Sequence, residues 1–336
     1  VNPREEDSRL ERAYEGLLGG DVDEGVAPIP ATPWEESPEA GARLPGWGGF
    51  FARPGVVAWT FLLPALAAFF VFSWLPLLRG LVLSFQDFGL VKEANWVGLD
   101  NYLRAMSDPQ VIATLVHAIA FCALSLALGF WAPVALALYA NELRRGRGLL
   151  KAVFFLPFLT PTVPAVLVWR WILDGGYGAL NAVLSLGPWG PVRIPWLTDP
   201  ALALLSLVLV FLWKTTGWNA LIYQAALRDV PAEVYEIAEL DGTGLWQRIR
   251  AVSLPILRPT MAFLLLMQVI TTLQIFTEVH LLTGGGPANS TEMIATYMYK
   301  RSFLYLDIGY AAALGVLLFL ALLGFTAARL RSLEES

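Results

Sequence analysis

The run WKTTGWN sets Lys214 among Trp213, Thr215, Thr216, Trp218 and Asn219, in the middle of an apolar stretch with no other charge. Further along, Gln268, Thr271 and Thr272 recur at i, i+3 and i+4, a spacing that puts all three on one face of a helix. An ammonium, hydroxyls and an amide beside indole rings break no bonds by themselves; they hydrogen-bond. In apolar surroundings that chemistry has two uses, holding a polar solute or stitching one helix to another. Lys214 has a third, snorkelling to an interface or pairing with carbonyls of a neighbouring helix. Catalytic constellations are absent from the pattern. His117 and His280 are the only histidines, too few and too far apart for a metal site, and Cys122 is the only cysteine, so no disulfide forms within the chain. None of Lys92, Lys151, Lys214 and Lys300 follows a glycine, so no G-x-x-x-x-G-K-[ST] phosphate loop occurs. Energy from ATP would have to come through another chain.

The elements that must position these residues are membrane helices. Of 336 residues, 56% are hydrophobic and 15% charged, against roughly 25% charged in a soluble domain. Apolar runs of about 20 residues, the length a helix needs to cross a bilayer, predict spans near 56–78, 115–140, 152–173, 201–227, 260–283 and 308–328. The runs are continuous and do not alternate, which excludes a barrel. The expected fold is an all-α polytopic membrane protein with six transmembrane helices.

Basic residues orient it. Fifteen lie before the first span, in the loops after spans 2 and 4, or at the C-terminus, and six lie in the alternate loops. The positive-inside rule then puts both termini in the cytoplasm. The net charge of −5 reflects a tail: 11 of the 28 acids precede residue 40. Residues 1–50 read as an acidic, solvated cytoplasmic extension ahead of a transmembrane domain at 51–336. No basic stretch leads directly into an apolar core there, so the tail does not read as a signal peptide.

The loop at 228–259 is polar and helical in pattern although it lies between two apolar segments. Pro231 suits a first helical turn, Glu233 and Glu236 favour the positive end of a helix, and Gly242 suits a C-cap. Thr243 is expected to cap a second helix carrying Leu245, Ile249 and Val252, which Pro255 should stop. An acidic helix is repelled by an anionic leaflet and is better suited to docking on a protein.

Glu236-Ile237-Ala238, then Gly242, then Val252-Ser253-Leu254-Pro255 resembles the EAA loop of membrane subunits in binding-protein-dependent ABC importers, with Ile237 departing from the family's middle Ala. WVGLDNY at 96–102, WRWILDGGYGALN at 169–181, WLTDPALAL at 196–204, LLTGGGPANST at 281–291 and DIGYAAAL at 307–314 resemble landmarks of maltose-type sugar permeases, specifically the first of the two membrane subunits. The resemblance covers about residues 56–328 in order. It implies that Glu236, Ile237, Ala238, Asp241, Gly242, Leu254 and Pro255 couple the chain to an ATPase. It also implies that Lys214, Thr215, Trp218, Gln268, Thr271 and Thr272 line a solute pathway, and that Gly285, Gly286 and Pro287 meet a solute-binding protein. The partners it implies are a second, homologous permease, two cytoplasmic ATP-binding subunits that hold ATP and Mg, an extracytoplasmic binding protein and a sugar, with no nucleic acid and no cofactor in this chain. The acidic tail lies outside the resemblance, as does the prototype's large extracytoplasmic insert, for which the loop between spans 1 and 2 has no room. The rival readings are an ion-coupled carrier, which needs intramembrane acids where the spans offer only Glu278 near an end, and a non-transporting membrane scaffold.

Overall fold

The computed structural model describes residues 54–89, 93–143, 146–188, 190–231, 233–234 and 243–334. The chain divides into two units at Phe69. The described part of the first is helix α1 (Pro54–Phe69). The second opens with a π-turn at Phe70–Trp74 and α2 (Leu75–Leu83), followed by a two-residue antiparallel pairing of Gln86–Asp87 with Asn95–Trp96. Then come α3 (Asp100–Ser107), α4 (Pro109–Gly129), α5 (Trp131–Glu142), α6 (Arg147–Leu159), α7 (Thr162–Ile172), α8 (Ala179–Leu184) and α9 (Pro200–Arg228). The chain closes with α10 (Leu245–Arg248), a π-turn at Ile249–Ser253, α11 (Leu254–Leu273), α12 (Thr277–Leu282), α13 (Ile294–Tyr299), a π-turn at Lys300–Leu304 and α14 (Ile308–Glu334).

Among the described residues, five helical stretches are long and apolar enough to cross a membrane: Ala58–Leu83, Pro109–Asn141, Pro200–Arg228, Trp246–Leu273 and Ile308–Arg331. The caps explain two of their starts. Asp108 accepts from the Gln110 N–H and Asp199 from the Ala201 and Leu202 N–H groups, each with proline at the first helical position, where no donor is needed.

Three expectations are corrected. The third span is not one straight helix but α6 and α7, bent by 98°. Pro161 has no N–H and pushes Thr160 out of the helical region, to ψ 130°; counted as one span, the bent pair is the sixth. Second, Pro255 does not stop a helix. The Leu254 N–H bonds five residues back to Ile249 O, and this π-turn carries the chain past Pro255 into α11. Third, the fifth span runs from Trp246 to Leu273 instead of from 260 to 283, and α12 is a separate helix. At its end the Thr271 and Thr272 hydroxyls bond back to carbonyls at Met267, Gln268 and Val269, competing with continuation of the ladder.

Helix α9 is the hub of the second unit, packing against α4, α5, α6 and α11. One core joins Phe121 of α4 to Leu207, Val208 and Phe211 of α9 and to Val279 of α12, and another joins Val134 and Ala137 of α5 to Tyr223, Leu227 and Leu257. Outward faces stay apolar and exposed, as at Ile112, Val116, Ile119, Leu209, Phe319 and Leu323, which suits contact with lipid. Gly217 lets α9 and α6 touch: a Cβ there would strike the Phe154 carbonyl. Overpacking of this kind costs about 1–3 kcal/mol. Gly217→Leu should therefore lower the thermal transition and folded yield of the purified protein, whereas Gly324→Leu, at a position with open space, should leave both unchanged. Equal behaviour of the two variants in a detergent thermal-shift assay would show that the α6–α9 approach is not tight.

Candidate functional site

A cavity of about 640 Å³ lies between α9 and α11, closed at one end by residues 274–278. The WKTTGWN run supplies Lys214, Thr215, Trp218 and Asn219 from α9, and α11 supplies Met267, Gln268 and Thr271. Five of the six residues expected at a solute pathway therefore share one cavity. The sixth does not: Thr272 is fully buried, and its hydroxyl is spent on the Gln268 and Val269 carbonyls.

Each wall has a physical reason. Trp218 stacks on Phe158 of α6 with centroids 4.5 Å apart and planes 12° from parallel, and Phe155 extends the stack. The result is a broad, rigid π-face in a mostly apolar lining that carries a few polar groups. Lys214 donates to the hydroxyl of Thr162, the first residue of α7 beyond the bend, and Glu278 lies within electrostatic reach across the cavity. The ammonium is thus tied to the start of α7 through a hydroxyl, with the Glu278 charge adding a longer-range attraction. Gln268 works in two directions, lining the cavity while its amide donates to Ser125 O on α4 at 3.1 Å. One side chain thus both stitches α11 to α4 and lines the cavity.

Phe158, Gln274 and Thr277 line the same cavity without having been singled out in the sequence. A signal existed for Gln274: it continues the Gln268–Thr271 stripe by another three residues. Phe158 carried none, because it is one phenylalanine among many until the bend brings it onto Trp218. Arg170 donates to Leu281 O and so ties the end of α7 to α12.

The Gly285-Gly286-Pro287 turn is braced from within. The Thr291 hydroxyl donates to Gly286 O at 2.6 Å, and Gly285, at φ 91°, lies against the paired Glu292 and Lys300 side chains. Of the expected coupling residues, Glu236, Ile237, Ala238, Asp241 and Gly242 fall outside the described residues. Leu254 and Pro255 form the first turn of α11, where Leu254 packs beside the core that contains Tyr223 and Leu257.

A second polar cluster, absent from the expectations, gathers at Asp108. Its carboxylate accepts from the hydroxyls of Tyr297 and Tyr310, each at 2.7 Å, while Arg301 lies 3.5 Å away and donates to the Tyr297 hydroxyl. Burial alone would raise the Asp108 pKa, but those hydroxyls, the Gln110 N–H and the Arg301 charge outweigh it and hold the carboxyl below its ordinary value. Tyr297 is pushed up, first by burial and then by its bond to Asp108.

Residues 128–333 match the family described as binding-protein-dependent transport system inner membrane component. The chain belongs to this family. It is 31% identical over 275 residues to the trehalose/maltose transport system permease protein MalF of Thermococcus litoralis, covering 82% of this chain and 92% of that one. It is 33% identical over 278 residues to the lactose transport system permease protein LacF of Rhizobium radiobacter, covering 80% and 92%. Among solved structures, a chain of a bacterial alginate ABC transporter, in complex with an alginate pentasaccharide-bound periplasmic protein, superposes with a TM-score of 0.73 at 26% identity, covering 81% of this chain and 92% of that chain. This membrane permease of an ABC importer thus has the helical fold and the broken third span on which the cavity depends.

The Asp108 cluster joins the starts of α4 and α14 to α13. Because its carboxyl is depressed, the stabilisation is complete above the ordinary value of 3.8 and is lost as pH falls through the lower folded value. Thermal transitions of the purified permease should fall on acidification below pH 3.8, and Asp108→Asn should flatten that part of the profile while lowering stability at neutral pH. A profile below that pH unchanged by the substitution would remove Asp108 as the titrating tie.

Proposed function

We propose that this chain is one of two permease subunits of a carbohydrate ABC importer, and that the cavity between α9 and α11 is where the saccharide passes. The supporting observation is the composition of that cavity in a chain of this family: the Trp218–Phe158 face on one side, and Lys214, Thr215, Asn219, Gln268 and Thr271 around it. A sugar ring presents an apolar C–H face and a rim of hydroxyls that both donate and accept, and this lining offers a partner for each. The relatives, named as trehalose/maltose and lactose transport permeases, support the same substrate class.

On this reading both termini and the 228–259 loop face the cytoplasm, where two ATP-binding subunits hold ATP and Mg. Glu236, Ile237, Ala238, Asp241 and Gly242 form the coupling segment that docks on one of them, and Leu254 and Pro255 pass its movement directly into α11, one wall of the cavity. A homologous permease completes the pathway. An extracytoplasmic binding protein delivers the solute to the side that carries the Gly285-Gly286-Pro287 turn. The bend between α6 and α7, tied to Lys214 through Thr162, lets α9 and the broken span move together as the cavity changes the side to which it opens.

The test is ATP-dependent uptake of a saccharide panel by the complete complex in liposomes. At least one sugar should be imported. Trp218→Ala should reduce its uptake several-fold at unchanged complex yield and basal ATPase activity, in line with the roughly 0.5–1.5 kcal/mol carried by each such contact. Gly242→Trp should leave the complex assembled but abolish coupled transport. Normal uptake in the Trp218 variant would remove the cavity from the pathway, and normal uptake in the Gly242 variant would remove the coupling segment.

A further inference from the structure

A separate polar cavity of about 370 Å³ lies among the segments that precede α4 and α14, lined by Gln110, Asn289, Glu292, Lys300, Arg301 and Tyr305 among others. By chain order it is at the opposite end of α11 from the 228–259 loop. Its centre is Glu292, which is only 1% exposed. One carboxylate oxygen, Oε2, is paired with Lys300; the other, Oε1, is buried and has no partner among the described residues. An acceptor left open inside a protein costs about 1–3 kcal/mol, more when charged, so the position is built for something that donates to it.

The surroundings narrow what that is. A cation is disfavoured because Lys300 and Arg301 already stand on the cavity wall, and an anion is disfavoured beside the unpaired oxygen of Glu292. Arg301 is itself opposed by Asp108, so the cavity has no large excess of either sign. A group that donates to Glu292 and accepts from Lys300, Arg301 or the Asn289 amide is a hydroxyl, and several of them together make a neutral saccharide. Tyr305 is 64% exposed with the Arg301 guanidinium 5.3 Å from its ring centroid, which leaves an aromatic face at the rim for a sugar's C–H surface. The volume falls within the range of roughly 300–1,000 Å³ usual for small-ligand sites.

Local geometry keeps the carboxylate in place. The Glu292 carbonyl bonds His117 Nδ1 of α4 at 3.2 Å. Gly285 lies over the ion pair so closely that a Cβ would be 2.6 Å from Oε2 and 3.0 Å from the Lys300 nitrogen. We propose that this cavity is a second saccharide site, which holds a neutral sugar at the mouth of the permease and is separate from the cavity between α9 and α11. It rests on the reading of the chain as a carbohydrate permease.

The experiment uses the complete complex in nanodiscs with Cys122→Ser and Leu304→Cys, at an exposed position next to Tyr305, and measures the rate of labelling by a membrane-impermeant maleimide with maltose, trehalose or lactose added. Uptake of each sugar is measured in parallel on the complex without Leu304→Cys. A sugar that is imported should slow labelling. Glu292→Gln should raise the half-protecting concentration about tenfold or more, the loss expected of one hydrogen bond to a charged group. Trp218→Ala should leave the protection intact although it lowers uptake. Asn289→Gly, at an exposed position whose φ of 62° suits glycine, should weaken protection even if Glu292→Gln does not assemble. Labelling unaffected by every imported sugar would show that water alone fills the site. Protection that survives both Glu292→Gln and Asn289→Gly would also overturn it. Protection lost in Trp218→Ala would assign the effect to the membrane cavity. Import of none of the sugars, with no protection, would overturn the carbohydrate reading on which the site rests.

Discussion

A polar group inside this bundle has no water to fall back on, so it must be answered by protein or belong to the route a solute takes. Backbone groups meet that requirement by forming helices. Side chains meet it one at a time. Ser206 donates to Trp196 O, Gln268 to Ser125 O, and Thr272 to the carbonyls of its own helix. Lys214, Thr215, Asn219, Thr271 and Gln274 converge on a single cavity, where Lys214 is bonded to Thr162 and the Thr215 and Thr271 hydroxyls to their own helices, while the buried Ser125 Oγ and Gln224 Oε1 have no partner among the described residues. Groups tied in this way keep capacity for further bonds, because a hydroxyl has two acceptor lone pairs and an ammonium three donors.

The same constraint makes the bend between α6 and α7 tolerable. A break in the helical ladder at membrane depth survives only where it is buried in protein or lines a cavity. Here Thr162, just past the bend, accepts from Lys214, and Phe158, just before it, stacks on Trp218. The proline that breaks the span therefore creates two of the cavity's walls. Gly217 does the complementary work on α9, removing the side chain that would hold α6 away. The geometry of the cavity is thus set by three residues with little or no polar chemistry of their own, Pro161, Gly217 and Phe158.

Much of this was legible in the residues. Hydropathy located all the spans, and the apolar-to-polar contrast at WKTTGWN and at Gln268–Thr272 located both long walls of the cavity. Boundaries were less legible. Pro255 reads as a helix stop, and only a π-turn, which leaves no mark in a hydropathy pattern, lets the helix run through it. The break at Pro161 had a visible sign in the three prolines Pro157, Pro161 and Pro164, but which of them bends the span depends on packing against α9. Thr272 lies apart from the cavity because the two neighbouring threonines straddle the edge of the face that an i, i+4 spacing shares in an ideal helix, Thr271 toward the cavity and Thr272 into the core. The Asp108 cluster joins residues 189 and 202 positions apart, and the Glu292 carbonyl reaches His117 across 175, so no local pattern announces them.

On the proposed function, the cavity between α9 and α11 opens to one side of the membrane and then the other as partner ATPases close. The direct measurement is labelling of Thr271→Cys, in a Cys122→Ser background, by impermeant thiol reagents applied from each side of the reconstituted complex. Labelling should come from the cytoplasmic side without nucleotide and from the opposite side when the ATPases are trapped closed. Labelling from the same side in both states, or from neither, would contradict the claim.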